Sequence, residues 1–340
     1  MPISQGLGWA CVRASLLLLA FTAFSFGFQP DPLAAFTVLP IWLWSGIGIA
    51  LSLGAFYYAN ARFSLWLSVA WLVTALVGSE ESRTLLTARQ PETLLPGPAL
   101  PQQTTTLIRV ATLNCAVFGF GNPGHELVPW HPDIVLLQDT YPNQVRALSQ
   151  TLHAGQGHHL SHNTNGIVSR WTIKNPVNTP HQRNQQACVS IPNFGDLVAI
   201  NVHLISAATD LRLWNPSAWT QHRNNRILRR KELTGILTQL KQTTKFPLTP
   251  TLLGGDFNAA SSDPIYHLLK DDFVDSFHEA GTSWGNTYPS RFPIIRIDHL
   301  YASKHLIPIH SRCIETRHSD HRLIITDYLL TDQPKQQATR

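Results

Sequence analysis

The apolar positions divide the chain into a nearly continuous apolar N-terminal part and a remainder with only short apolar runs. The long apolar stretches are residues 8–28, 33–58 and 62–78. As helices they would measure about 31, 39 and 26 Å, against a hydrocarbon core of about 30 Å. Short breaks at Gln29-Pro30-Asp31-Pro32 and Asn60-Ala61-Arg62 separate them, as between hairpin helices. The pattern predicts a transmembrane anchor of about three helices over residues 1–78.

The first apolar stretch also has an interpretation as a cleaved signal peptide, because it lies at the N-terminus. It is longer than an ordinary signal-peptide core and two similar stretches follow, which favours an anchor. Basic residues near the ends of membrane helices are enriched on the cytosolic side. Arg13 and Arg62 therefore favour a cytosolic position for the N-terminus and the second connection, with Asp31 on the opposite side of the membrane. If all three stretches cross the membrane, the chain after residue 78 lies outside the cytosol. If the third and shortest stretch does not cross, the remaining chain lies inside. We expect a multi-pass protein of the cell (inner) membrane with a periplasmic or extracellular hydrophilic part.

Residues 79–106 lack apolar periodicity. They contain Pro91, Pro96, Gly97, Pro98 and Pro101, followed by a run of glutamines and threonines. This composition predicts an extended linker. The hydrophilic domain is then residues 107–332, with a polar tail at 333–340.

Within the hydrophilic domain the apolar runs are short and closed by polar residues, as in β-strands. The predicted strands are residues 107–113, 133–137, 166–168, 187–191, 197–202, 251–253, 295–301 and 323–330. A helix is predicted over residues 221–243. Its apolar stripe contains Ile227, Leu233, Ile236, Leu237 and Leu240. Strands interleaved with a few helices indicate one α/β domain with stacked sheets covered by helices.

Composition supports this division and excludes a disordered or fibrous protein. Hydrophobic residues make up 44% of the chain and charged residues 14%, with a mean hydropathy of −0.05. Charges balance within residues 1–108, so the net charge of +5 belongs to the hydrophilic part. That excess is mild, and no run of basic and aromatic residues indicates a nucleic-acid groove.

Polar side chains recur where predicted strands end. Asn114 and Asp139 follow the first two strands, His203 follows a central strand, and Asp256 and Asn258 follow another. We expect these side chains to converge on one edge of the sheets. Carboxylate and amide oxygens suit Mg²⁺ or Mn²⁺ rather than zinc.

Two further polar positions belong to the same pattern. Asp298 lies inside an apolar run, and Asp320 and His321 precede the last predicted strand. A buried aspartate needs a partner to avoid an unpaired charge, and a nearby histidine meets that need.

These residues lie in an ordered series of short motifs. The series is Leu113-Asn114, Leu137-Gln138-Asp139, Gly166-Ile167-Val168-Ser169-Arg170, Asn201-Val202-His203-Leu204, Gly255-Asp256-Phe257-Asn258, Ile297-Asp298-His299 and Ser319-Asp320-His321. It resembles the endonuclease/exonuclease/phosphatase (exonuclease III/DNase I-like) superfamily over about residues 107–330. The resemblance implies a four-layer α/β sandwich, in which two mainly antiparallel sheets pack face to face with helices outside.

The resemblance also implies roles for the polar residues. Asn114, Asp139 and Asp320 resemble the ligands of Mg²⁺ or Mn²⁺. The resemblance implies that His321 is the general base for the attacking water and that Asp298 orients it. A neutral His321 is then required, so activity should fade below about pH 6.

Three more residues resemble the family's substrate-positioning groups. Asp256 and Asn258 resemble the pair that positions the nucleophile and the phosphoryl oxygens, and His203 resembles a donor to a phosphate oxygen. Together these roles imply metal-assisted, in-line hydrolysis of a phosphoester. We expect a membrane-anchored phosphodiesterase acting on nucleic acid, a phospholipid headgroup or an inositol phosphate. The helices make the lipid bilayer a partner, and no protein partner is indicated.

Two departures from the family pattern leave a second hypothesis open. The family usually has glutamate where this chain has Asp139, and a polar residue where it has Ala116. The alternative is a catalytically weakened or inactive membrane-tethered binding module of the same fold.

Other clusters have less specific interpretations. One cluster consists of the histidines His153, His158, His159 and His162. It lacks the spacing of a zinc site, so we interpret it as part of a solvated loop. A second cluster is basic and consists of Arg223, Arg226, Arg229, Arg230 and Lys231. These side chains could face an anionic substrate, but we expect them on the solvent-exposed side of the predicted helix, opposite its apolar stripe. The domain cysteines Cys115, Cys188 and Cys313 permit at most one disulfide.

Overall fold

The computed structural model describes residues 3–86, 107–178, 183–206 and 210–331. The chain divides into two compact units. The first comprises Met1–Thr87, Ala207–Ile227 and Ala260–Pro264, and the second comprises Ala88–Ser206, Leu228–Ala259 and Ile265–Arg340.

Helices α1 to α5 precede the first strand, and the later helices lie between strands. The helices are α1 (Ile3–Phe28), α2 (Ala34–Thr37), α3 (Ile41–Ala59), α4 (Phe63–Gly78), α5 (Glu80–Leu86), α6 (Gly124–Leu127), α7 (Pro142–Leu152), α8 (Pro216–Thr243) and α9 (Ser276–Ala280). The strands are β1 (Leu107–Asn114), β2 (Ile134–Gln138), β3 (His158–His162), β4 (Asn165–Ser169), β5 (Ile173–Asn178), β6 (Gln185–Ile191), β7 (Gly195–His203), β8 (Thr251–Asp256), β9 (Val274–Asp275), β10 (Asp298–Ala302), β11 (Leu306–Ile314) and β12 (Leu323–Leu330).

Helices α1, α3 and α4 pack together in the first unit. By length and composition, α1 and α3 can each cross a membrane, and α4 is a shorter apolar helix. Small residues allow close packing: a Cβ atom at Gly48 would lie 1.9 Å from the Trp71 ring. Trp71 of α4 is fully buried, and its Nε1 donates to Ser15 Oγ of α1 at 2.9 Å. Ser15 Oγ also lies 2.9 Å from Ser52 Oγ of α3, so side chains from all three helices meet at one point.

The segment after α4 differs from the sequence prediction. An extended linker is predicted from residue 79, but residues 80–86 form helix α5. The Ser82 backbone N–H donates to Ser79 Oγ at 3.3 Å at the start of this helix. Glu80 and Glu81 lie in its first turn, where the positive end of the helix dipole stabilises negative charge. The remaining linker, residues 87–106, and the polar tail, residues 333–340, lie outside the described residues.

The second unit is built on two mixed six-stranded sheets. Their strand orders are β11-β12-β1-β2-β4-β3 and β5-β6-β7-β8-β10-β9. Only the pairs β1–β2 and β7–β8 are parallel among the strand pairs of the described residues. The central core contains side chains of both sheets, such as Ile108 and Leu197. Helix α8 covers one sheet through Leu240 and α7 covers the other through Val145, which gives four layers.

All eight predicted strands are present, with small shifts at their ends. Strands β3, β5, β9 and β11 and helix α7 were not predicted. The interpretation of the histidine cluster as a loop was wrong, because His158, His159 and His162 lie in edge strand β3. An edge strand buries few side chains, so its sequence needs no apolar run.

Helix α8 also corrects the sequence analysis. It begins at Pro216 rather than at residue 221. Arg226 and Arg229 are buried, contrary to the expectation of a wholly wet basic face. They share a helix face with Leu233, because residues three or four positions apart lie one above the other. All four cysteines are free.

Candidate active site

Strand register brings three of the predicted site residues into one row. His203 pairs with Asp256 across the parallel strands β7 and β8. Asp256 pairs with Asp298 across the antiparallel strands β8 and β10. In the other sheet, Asn114 lies opposite Gln138, and Asp139 comes next along the chain. The row therefore follows from the register of neighbouring strands in one sheet.

The end of β8 requires glycine at residue 255. Gly255 has a φ of 136°, which side chains rarely adopt. A Cβ atom there would lie 2.0 Å from the Val202 carbonyl oxygen of β7. Glycine thus allows β7 and β8 to approach closely just before His203 and Asp256.

His321 and Asp298 form a buried pair. His321 Nδ1 lies 2.9 Å from Asp298 Oδ2. The Asp298 backbone N–H donates to Thr287 Oγ1 at 3.2 Å, and the His321 backbone N–H donates to Ser319 Oγ at 3.0 Å. Burial alone would lower the pKa of His321, but the carboxylates of Asp298, Asp256 and Asp320 outweigh it and raise the pKa to about 10. In this environment the imidazole is protonated at neutral pH.

Asn114 connects two of the carboxylates. Its Nδ2 donates to Asp256 Oδ2 at 3.0 Å and to Asp139 Oδ2 at 3.3 Å. Its Oδ1 accepts from the Ala116 backbone N–H at 2.9 Å, which sets the orientation of the amide. Asn258 also holds Asp256: its backbone N–H donates to Oδ1 at 2.8 Å, and its Nδ2 donates to Oδ2 at 3.2 Å.

His203 stands beside these carboxylates without a hydrogen bond to them. Its Nδ1 lies 3.8 Å from Asp139 Oδ1, and its Nε2 lies 3.9 Å from Asp256 Oδ2. The His203 backbone N–H donates to Asn184 Oδ1 at 2.9 Å, which holds the main chain. The buried Nδ1 has no hydrogen-bond partner among the described residues. The ring is therefore close to both carboxylates and still able to bind another group.

A buried group of side chains could hold a metal ion. Ligand atoms of Asp256, Asp298 and His321 lie within 4.8 Å of one another, and this is the one such group within the described residues. Asp298 Oδ1 is buried without a hydrogen-bond partner in the described part of the chain. Burial and the Asp298 carboxylate raise the pKa of Asp256, against the effect of both histidines. These features fit a divalent cation, because a positive charge would offset two crowded carboxylates.

The other predicted metal ligands surround this group. The Asp139 side chain is 30% exposed, and its φ of 46° turns the chain sharply after β2. Asp320 is close enough for its carboxylate to raise the pKa of His321. The structure thus brings all eight predicted site residues to one edge of the two sheets.

Several residues that support the site were not predicted. The Tyr288 ring centroid lies 5.1 Å from that of His321, and burial followed by Asp320 and Asp256 raises the pKa of its hydroxyl. Gln138 Nε2 donates to Asn201 Oδ1 at 2.7 Å, and Asn201 Nδ2 donates to the Leu137 carbonyl at 2.8 Å. Gln138 directly follows the predicted strand 133–137, and Asn201 lies inside the predicted strand 197–202. Both residues stand in the motifs quoted above without an assigned role, and an amide beside or inside an apolar run was the signal that could have identified them.

Comparison with known proteins places the chain in a family. The model of the endonuclease/exonuclease/phosphatase family matches residues 100–321. No curated protein matches the chain at a significant level.

Solved structures share the fold at low sequence identity. An endonuclease/exonuclease/phosphatase family protein from Bacteroides thetaiotaomicron is 14% identical, with a TM-score of 0.53, covering 66% of this chain and 98% of that one. The mannosyl-6-phosphatase Bt3783 from the same species is 14% identical, with a TM-score of 0.52, covering 66% and 100%. A humanized TDP2 of D. rerio is 17% identical, with a TM-score of 0.51, covering 66% and 99%. The chain belongs to the endonuclease/exonuclease/phosphatase family, whose members are phosphoester hydrolases that typically use divalent metal ions.

Proposed function

We propose that the chain is a membrane-anchored, Mg²⁺- or Mn²⁺-dependent phosphodiesterase that hydrolyses nucleic acid or a phospholipid headgroup by in-line attack of water. The observation that carries the proposal is the buried His321–Asp298 pair, which lies against Asp256 on the edge where Asn114 and His203 also meet. A base with an orienting carboxylate, beside further acidic oxygens, suits the activation of water next to a phosphate.

In the proposed mechanism His321 accepts the proton of the attacking water. Its Nδ1 is engaged by Asp298, so Nε2 is the atom that takes the proton. Asp298 stabilises the imidazolium that forms, and Asp256 orients the water. His203 donates to a phosphoryl oxygen, which its unengaged Nδ1 supports. Asn258 already donates to the Leu204 carbonyl at 3.0 Å and to Asp256, so its donation to phosphate requires release of one of these bonds.

In this proposal Asn114, Asp139 and Asp320, which surround the Asp256, Asp298 and His321 group, would hold the metal ion. A bound ion would supply Lewis-acid polarisation of a phosphoryl oxygen and would favour the deprotonation of water. The test compares Mn²⁺ binding by calorimetry to the unchanged chain, to Asp139→Asn and to His321→Gln. We expect Asp139→Asn to weaken binding and His321→Gln to leave it unchanged or make it tighter, because the positive charge of a protonated His321 opposes the cation. The reverse order would assign the ion to the Asp256, Asp298 and His321 group.

The catalytic proposal is tested with bis-p-nitrophenyl phosphate in the presence of Mg²⁺ or Mn²⁺. His321→Ala should abolish the metal-dependent rate, whereas His310→Ala, in strand β11, should not. A rate no higher than that of His321→Ala in the unchanged chain would refute the enzyme and support the inactive binding module. Asp139 and Ala116 are the residues that favour this alternative, because both depart from the family pattern.

The substrate class is tested on the full chain in lipid nanodiscs. The panel contains plasmid DNA, RNA, sphingomyelin and inositol phosphates. A phosphodiesterase should cleave DNA, RNA or sphingomyelin and leave inositol monophosphates untouched. The reverse preference would indicate a phosphatase, which is what the name of one structural neighbour, the mannosyl-6-phosphatase, describes.

We also propose that α1, α3 and α4 all cross the cell membrane, so that the domain lies in the periplasm or outside the cell. Burial of Trp71 against α1 and α3 supports α4 as a full member of this helix bundle. A reporter that is active only outside the cytosol, fused after Arg340, should be active. A silent reporter, together with an active cytosolic reporter at the same position, would indicate two spans.

A further inference from the structure

We propose that residues 210–215 form a second membrane contact, in which Leu211 and Trp214 lie in the headgroup layer of the bilayer that the N-terminal helices span. The proposal rests on the proposed membrane anchor. It differs from the anchor because these residues come from the hydrophilic part of the sequence.

The exposure of two large apolar side chains is the first observation. Trp214 is 81% exposed and Leu211 is 49% exposed, only three positions apart in one loop. Tryptophan is enriched at membrane interfaces, where its apolar ring and its N–H group both find partners. Neighbouring exposed apolar side chains mark a contact surface more often than isolated ones do.

The loop that presents these side chains is ordered by its own hydrogen bonds. Arg212 Nε and Nη2 donate to the two carboxylate oxygens of Asp210, each at 2.9 Å. Asn215 Nδ2 donates to Asp210 Oδ2 at 3.1 Å, and Trp219 Nε1 donates to the Leu213 carbonyl at 2.8 Å. The hydrogen bonds from Arg212 lower the pKa of Asp210, so the two opposite charges stay paired. The loop therefore has no net charge, which suits an interfacial position.

The loop belongs to the same compact unit as the apolar helices. Arg226 Nη2 donates to Thr37 Oγ1 at 2.6 Å, and its Nε donates to Asp263 Oδ2 at 3.1 Å. Gln29 Nε2 donates to the Ser262 carbonyl. Gln29 and Thr37 lie in the connection between α1 and α3. Because Arg226 is buried, these contacts form a packed junction at that end of the helices.

This end of the helix bundle lies where spanning helices leave the hydrocarbon layer. Phe28 ends α1 with a largely exposed ring, and Trp42 near the start of α3 donates from Nε1 to Glu81 Oε1 at 3.1 Å. The loop begins beside this junction, because His222 Nε2, one helix turn before Arg226, lies 3.0 Å from the Asp210 carbonyl oxygen. An apolar loop that starts there, in the same unit as exposed apolar helix faces, has the bilayer as its proposed partner. Continuity with the surface of the spanning helices thus favours lipid over a protein partner.

The test uses nitroxide labels on single cysteines in the full chain, reconstituted in nanodiscs of phosphatidylcholine and phosphatidylglycerol. Cys11 and Cys188, the cysteines that are not fully buried, are first replaced by alanine. The test sites are Leu211→Cys and Trp214→Cys. The controls are Leu248→Cys and Phe292→Cys, which are exposed apolar positions of the second unit, and Leu53→Cys, which is exposed on α3. Each label is measured for collision with oxygen, which concentrates in lipid, and with a water-soluble nickel chelate.

We expect the oxygen-to-nickel ratio at Leu211 and Trp214 to lie above that of both water-exposed controls and below that of Leu53. Equal ratios at the test sites and at Leu248 and Phe292 would overturn the proposal. Protection from both reagents would also overturn it, because a protein surface would then cover the loop. A low ratio at Leu53 would refute the anchor itself, and this contact with it.

Discussion

Replacing Asp298 by asparagine removes one negative charge beside His321 and keeps the size of the side chain. The two groups are 2.9 Å apart at Oδ2 and Nδ1, and both are buried. With an effective dielectric constant of about 20, two charges about 4 Å apart interact by about 4 kcal/mol. That energy corresponds to about a thousandfold change in the proton affinity of the imidazole. That energy is comparable to the net rise in the pKa of His321 from 6.5 to about 10, which burial opposes and to which Asp256 and Asp320 also contribute.

We therefore expect the Asp298→Asn change to lower the pKa of His321 clearly, on the order of this energy. The measurement is an NMR titration of ¹³C-labelled histidine in the full chain, in detergent with EDTA, with the His321 signal identified by its loss in His321→Gln. Glu126→Gln is the matched control, because Glu126 Oε1 lies 2.9 Å from His318 Nδ1 in another histidine–carboxylate pair. The control should leave the His321 titration unchanged.

The same pair contributes to the pH dependence of stability in the metal-free protein. The folded pKa of His321 is raised, so the stabilisation is fully present below the unfolded pKa of about 6.5 and is lost as pH rises through about 10. The unchanged chain should lose more unfolding free energy across this range than Asp298→Asn.

In activity, Asp298→Asn should reduce kcat by about 10² to 10⁴, because the base loses its orienting partner. An unchanged His321 titration in Asp298→Asn would refute this reasoning and assign the raised pKa to Asp256 and Asp320.

Three further changes test the fold and the site. Gly255→Ala should lower the free energy of unfolding by about 3 kcal/mol or more, measured by urea denaturation, because its φ of 136° and the nearby Val202 carbonyl both exclude a Cβ atom; equal stability would contradict the backbone geometry. Asn201→Leu should cost about 3 kcal/mol in the same assay, since it removes three buried hydrogen bonds, and a loss no greater than that of Asn143→Leu, at an exposed position of α7, would contradict this. Asp139→Glu should lower the Mg²⁺ concentration for half-maximal hydrolysis, because the longer side chain reaches further into the site. A higher Mg²⁺ concentration for half-maximal hydrolysis would show that aspartate is the better fit here.

The sequence predicted the site because its chemistry lies at strand ends. Asn114, Asp139 and Asp256 each close an apolar run, and the edge of a sheet brings such positions together whatever the loops do. Asp298 was predictable for another reason: a charge inside an apolar run needs a partner, and His321 provides it. The order of the motifs then implied the fold, and the two six-stranded sheets confirm it.

The rest depends on tertiary contacts that have no local signal. Thr287 and Asn184 lie in loops, and their hydrogen bonds to the backbones of Asp298 and His203 follow from the folding of those loops. Arg226 was expected on the wet face of α8 because arginine is seldom buried, yet Asp263 and Thr37 supply partners from distant parts of the sequence. Long-range partners of this kind cannot be inferred from periodicity.

The sequence analysis expects activity to fall below about pH 6, because an isolated histidine has a pKa near 6.5. In the structure, three carboxylates near His321 raise its pKa to about 10, against the effect of burial. A base that is protonated at neutral pH cannot accept a proton from water. Compensation of the carboxylate charges by a bound cation would lower this pKa again and release the proton. Metal binding and proton release should therefore be coupled, so that the acidic limb of the activity profile moves to lower pH as the Mg²⁺ concentration rises.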